Sequence, residues 1–132
     1  MTLDNPLVDQ GTRVLVVDDE PSVRDVLSRF LAERGYLVDV AEDGQEALAM
    51  IRADAPDIVL LDLKMPRLGG IELLRILREE GIGVAVITIS GHADEDTARE
   101  SLHLGAADFI NKPFDLEYLE TSLLAKLLLL DR

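Results

Sequence analysis

The sequence predicts a doubly wound α/β fold, five strand–helix units in series forming a three-layer sandwich around a parallel sheet, with 2-1-3-4-5 expected as a common order of this fold class. Three observations lead there. Apolar runs of strand length, Val14–Val17, Ile58–Leu61 and Val84–Ile89, are continuous and rich in Val, Ile and Leu, as strands covered on both faces require. Segments of helical period separate them, and strands alternating with helices imply right-handed crossovers in a parallel sheet. Polar and acidic residues collect just after the apolar runs, where open sheets of this class bind ligands and where the winding reverses.

The elements follow in order. Val14–Val17 is the first strand. Pro21 stands at a first helical position and Gly35 where that helix should stop; between them Val23, Val26, Leu27, Phe30 and Leu31 form the apolar stripe. Tyr36–Ala41 alternates and carries Asp39, which marks an edge strand. Asp43–Arg52 is a short helix with Ala47, Leu48 and Ile51 facing inward, and Ile58–Leu61 is the third strand. Gly70–Glu80 is a helix ended by Gly81, Val84–Ile89 the fourth strand, and Asp94–Leu104 the most polar helix, ended by Gly105. Ala106–Ile110 is the fifth strand. Phe114–Leu130 closes the series, with Leu116, Leu119, Leu123 and Leu127 as its inner stripe.

Composition narrows the function. The 132 residues suit one domain, read as residues 13–130 behind a short flexible arm, Met1–Thr12. No cysteine is present, so disulfides, zinc–thiolate sites and thiol catalysis are excluded. A net charge of −13 opposes direct binding of nucleic acid or anionic membrane. The arm does not resemble a signal peptide and no apolar run reaches membrane-spanning length. A cytoplasmic protein is the expectation.

The candidate chemistry sits at the strand ends. The first run is followed by Asp18-Asp19, the third by Asp62, the fourth by Ser90 and the fifth by Asn111-Lys112-Pro113. Converging carboxylates repel one another unless a cation is present. Oxygen ligands without His or Cys favour Mg²⁺. An Asp beside Mg²⁺ can act as a nucleophile and become an aspartyl phosphate. Lys112 can neutralise a phosphoryl oxygen and Ser90 can donate a hydrogen bond to another.

The blocks Val14-Leu-Val-Val-Asp-Asp-Glu-Pro, Leu60-Leu-Asp-Leu-Lys-Met-Pro with Gly69-Gly70, Ser90-Gly91 and Phe109-Ile-Asn-Lys-Pro-Phe114 resemble, in order, those of the response regulator receiver family of two-component signal transduction, whose fold is flavodoxin-like. The resemblance covers about Arg13 to Leu127. It implies that Asp62 is the phosphoacceptor, that Asp18, Asp19, Asp62 and the backbone carbonyl of Lys64 hold Mg²⁺, and that Lys112 pairs with the phosphoryl group. It further implies that Ser90 and Phe109 are switch residues and that the Lys112–Pro113 bond is cis. The implied partners are a sensor histidine kinase or histidine phosphotransfer protein, and an output domain or partner protein. The face of the fourth helix, fifth strand and fifth helix is the implied switching surface and a possible homodimer contact.

Plainer readings stand beside these. Asp18-Asp19 can cap a helix, Asp62 can serve a turn, and Phe109 can be core alone. His92 and Lys64 read first as solvated neighbours of Ser90 and Asp62, and His103 as an exposed helix residue. Leu124 and Leu128 lie off the inner stripe of the last helix, which suggests dimerisation or continuation into an effector. A haloacid-dehalogenase-type phosphatase would place a second Asp where Lys64 stands, so sustained turnover lacks its proton donor. A nucleotide or flavin module would need a glycine-rich loop after the first strand, where Asp18-Asp19-Glu20 stands instead. The remaining alternative is a receiver-like interaction module that works without phosphorylation.

Overall fold

The computed structural model describes residues 11–91 and 95–129; for Glu95 and Leu129 only the backbone is included. His92, Asp94, Leu130 and nearly all of the proposed N-terminal arm lie outside the described residues. The elements are β1 (Arg13–Val17), α1 (Pro21–Glu33), β2 (Leu37–Ala41), α2 (Gly44–Ala53), β3 (Ile58–Asp62), α3 (Gly70–Glu79), β4 (Ala85–Gly91), α4 (Glu95–His103), β5 (Asp108–Lys112) and α5 (Leu116–Leu129). All strand pairs are parallel, and the sheet order is β2-β1-β3-β4-β5. The predicted fold class and order are those observed.

Side chains alternate across each strand, so the sheet feeds two separate cores. Val14, Val16, Ile58, Leu60, Ile87, Ile89 and Ile110 pack under α1 and α5 with Leu27, Leu31, Leu119, Leu123 and Leu127. Leu15, Val17, Val59, Leu61 and Val86 pack on the other face with Ala47, Leu48, Ile51, Leu73, Leu74 and Leu77 of α2 and α3. Every residue of β3 is buried, as a central strand demands, whereas β2 is largely exposed at the edge.

Three differences from the sequence reading matter. Val26 was expected on the inner stripe of α1 but is 51% exposed, because Leu27 and Leu31 supply that stripe. Strands β4 and β5 run further than their apolar composition suggests: their pairing continues through Ser90–Asn111 to Gly91–Lys112. Ser90 and Lys112 are therefore held by the ladder instead of following it in a loop. Finally, Ser101 is the one fully buried residue of α4 among the described residues. Its hydroxyl donates to the Ala98 carbonyl at 2.7 Å and lies 3.1 Å from that of Thr88 on β4. The polar helix thus rests on the sheet partly through paired hydroxyls.

Candidate functional site

Because β1, β3 and β5 are parallel, their carboxyl ends meet at one edge of the sheet. Asp62 is the last residue of β3, Lys112 the last of β5, and Asp18 and Asp19 follow β1 directly. The Lys112 Nζ lies 2.9 Å from Asp18 Oδ2, 3.6 Å from Asp62 Oδ2 and 3.7 Å from Glu20 Oε1. One ammonium thus joins carboxylates far apart in the chain. The Asp18 and Asp62 side chains are almost wholly buried, at 3% and 6% exposure, so their charges are poorly screened by water.

Backbone donors orient these carboxylates. The Lys64 N–H donates to Asp62 Oδ1 at 3.2 Å, which leaves Oδ2 on the side of Lys112. The Glu20 N–H donates to Asp18 Oδ1 at 2.9 Å, and an Arg24 guanidinium N–H reaches the Asp18 carbonyl at 2.6 Å. Gly70, at the start of α3, lets that helix approach the Asp62–Leu63 backbone: a Cβ there would lie 2.7 Å from the Asp62 carbonyl oxygen. The Lys112–Pro113 bond is cis.

The electrostatics follow from burial and crowding. Burial pushes the Asp62 carboxyl up to about 6; the charge of Asp18 and, less strongly, Asp19 adds to this, while the Lys64 N–H and the Lys112 ammonium oppose it. Burial alone would lower the Lys112 ammonium. The hydrogen bond to Asp18 and the charges of Asp62, Asp18 and Glu20 outweigh burial and raise it, so the lysine stays charged.

Asp18, Asp19, Asp62 and Lys112 therefore come together. Ser90 is buried at the same edge, but its hydroxyl donates to the adjacent Gly91 carbonyl at 3.3 Å. Phe109 is half-buried on β5, against the core that contains α2 and α3. His103 is exposed. Glu20 was not singled out as a site residue from sequence; its carboxylate and those of Asp18 and Asp19 lie within 4.8 Å of one another. The acidic run Asp18-Asp19-Glu20 was its only signal. These groups present only oxygen donors, and their excess negative charge suits a hard divalent cation.

Known proteins resemble this chain along most of its length. Residues 14–124 match the family model for the response regulator receiver domain. The chain is 44% identical over 107 residues to Response regulator MprA of Mycolicibacterium vanbaalenii, covering 81% of this chain and 46% of that protein. It is 43% identical over 109 residues to Response regulator MprA of Mycobacterium ulcerans, covering 83% and 47%. The chain thus spans about half the length of these curated relatives. Among solved structures, the receiver domain of NtrX from Brucella abortus superposes with a TM-score of 0.77 at 38% identity, over 86% of this chain and 94% of that one. A CheY-like receiver domain protein from Methanospirillum hungatei superposes with a TM-score of 0.84 at 32% identity, over 89% and 94%.

Proposed function

The chain belongs to the response regulator receiver family, and from that premise we propose that it takes a phosphoryl group onto Asp62 from a sensor histidine kinase or histidine phosphotransfer protein. The observation that carries the proposal is the Asp18–Lys112–Asp62 ion-pair group at one sheet edge. Asp18, Asp19, Asp62 and the Lys64 backbone carbonyl are the proposed holders of Mg²⁺. When bound, the ion would neutralise carboxylate charge and polarise a phosphoryl oxygen.

The residues of the chain do the rest. Asp62 Oδ2 is the proposed nucleophile, its partner oxygen being held by the Lys64 N–H. The bond from phosphorus to the donor nitrogen breaks as the bond to Oδ2 forms. Lys112 offsets negative charge on the transferring group, since phosphoryl transfer depends on positioning and charge neutralisation. The Ser90 hydroxyl, weakly engaged at 3.3 Å, turns to a phosphoryl oxygen, and Phe109 shifts into the space it leaves. Phosphorylation then selects one of two packings of the α4–β5–α5 face. Exposed Leu102, Tyr118 and Leu128 on α4 and α5 favour that face as the contact with a second copy or an output domain. No helix among the described residues is long and apolar enough to cross a membrane; a cytoplasmic location is part of the proposal, and the chain is a signalling acceptor without turnover on external substrates.

The test is labelling by a small phosphodonor with Mg²⁺ present, in wild type and Asp62→Asn. Wild type should take up one phosphoryl group and the variant none; equal labelling overturns the assignment.

A further inference from the structure

Glu20 is the N-cap residue of α1, yet its side chain makes no capping hydrogen bond, and glutamate is not among the residues that cap well. Its side chain is 60% exposed, so no core depends on it. Its carboxylate instead points to the site, 3.7 Å from Lys112 Nζ and within 4.8 Å of the Asp18 and Asp19 carboxylates. It also lines a cavity of about 580 Å³, mostly apolar, that shares Lys112 and Gly91 with the site and continues to Val26 and Phe114. Among the described residues, Lys112 is the one cation in an ion pair with Asp18, Glu20 or Asp62. A fourth carboxylate at this mouth adds negative charge that neither the helix nor the core requires.

We propose that Glu20 determines donor specificity: its carboxylate selects against free phosphodonors in proportion to the negative charge they carry. The inference rests on Asp62 being the acceptor. With a dianionic acyl phosphate, an Asp62 oxygen bonds to phosphorus, and the phosphorus–oxygen bond breaks with its electron pair leaving on the released carboxylate; no proton moves. With phosphoramidate, whose nitrogen already carries its proton, the phosphorus–nitrogen bond breaks and neutral ammonia leaves. The first donor brings two negative charges past Glu20, and the second, near neutral pH, brings mainly one.

A unit charge a few ångströms away in a solvated mouth changes donor encounter roughly threefold per unit of donor charge at low salt. Removing it should therefore raise the second-order rate constant for labelling about threefold for phosphoramidate and, as the square, roughly tenfold for acetyl phosphate. The difference should fade in about 1 M salt, where screening is nearly complete.

The experiment compares wild type, Glu20→Gln and Glu20→Asp with both donors at saturating Mg²⁺, in low and high salt. Glu20→Gln should gain more with acetyl phosphate than with phosphoramidate, and Glu20→Asp, which keeps the charge, should retain the wild-type ratio. Equal gains for both donors, or no gain, overturn the proposal. Binding of inorganic phosphate with Mg²⁺ present, followed by the Gly91 amide signal in NMR, reads the same field without transfer. It should tighten in Glu20→Gln, and unchanged binding counts against Glu20. If neither donor labels wild type, the role of Asp62 fails, and the phosphate titration still decides the role of Glu20.

Discussion

Without a divalent cation, the folded chain holds Asp62 in an environment that opposes its ionisation. The carboxyl is pushed up to about 6 from an ordinary value of 3.8, first by burial and then by the charge of Asp18. Between those two values Asp62 is more fully protonated in the folded state than in the unfolded state. Its contribution to stability therefore falls as pH rises from about 4 to about 6, and stays lower above that range. A shift of about two units corresponds to about 3 kcal/mol. Asparagine keeps the shape of the neutral acid and cannot ionise. In the presence of a chelator, Asp62→Asn should exceed wild type in unfolding free energy by about 3 kcal/mol at pH 7.5, with the gap closing below about pH 4. Urea unfolding of both proteins across that pH range measures the gap, and groups unaffected by the substitution cancel in the difference. Added Mg²⁺ should narrow it by stabilising wild type. A gap that does not change with pH, or a variant less stable than wild type at pH 7.5, refutes the electrostatic account.

Three further perturbations probe the scaffold. Gly70→Ala places a Cβ 2.7 Å from the Asp62 carbonyl oxygen and the Leu63 Cα; it should cost about 1–3 kcal/mol in urea unfolding and slow labelling of Asp62 by displacing its backbone. Ser101→Ala removes a buried hydroxyl from between Thr88 and the Ala98 carbonyl; a loss of about 1 kcal/mol, with faster amide exchange across α4 than across α3, is the expected result. Tyr36→Phe deletes a buried hydroxyl with no hydrogen-bond partner among the described residues, so thermal unfolding should show a neutral change or a gain of up to about 1 kcal/mol.

The layers of the fold were legible because a parallel sheet covered on both faces writes itself as continuous aliphatic runs, as at Ile58–Leu61. Alternation and Asp39 likewise marked β2 as the edge. Strand ends were less legible, since a ladder stops where hydrogen-bond partners stop. Ser90 and Lys112 stay in the ladder through their pairing with Asn111 and Gly91, although neither is apolar. Val26 was misplaced because helical spacing alone admits a wider stripe than Leu27 and Leu31 occupy. The site residues were visible as types at strand ends. Their pairing was not, because Asp18 and Lys112 stand 94 residues apart and only the assembled sheet sets their distance. Glu20 was hidden by its position: beside Asp18-Asp19 and before Pro21, it reads as one more acidic residue at a helix start.

The same sheet suggests how an event at Asp62 reaches α4. Ser90 and Thr88 stand two apart on β4 and so share a face. Thr88 is fully buried, and its hydroxyl meets Ser101 of α4 at 3.1 Å and the Asp108 carbonyl of β5 at 3.2 Å. From there the Asp108 carboxylate accepts from the Ser122 hydroxyl of α5 at 2.7 Å. Hydroxyl contacts thus link β4 to each element of the proposed switching face. An apolar seat would lose buried area continuously as a helix moved, whereas hydroxyls exchange one partner for another at a net cost of about 1 kcal/mol each. That favours two discrete packings of similar energy over a single rigid one. If Ser90 draws β4 toward a phosphoryl group, the Thr88–Ser101 pair is the contact on α4 best placed to break first.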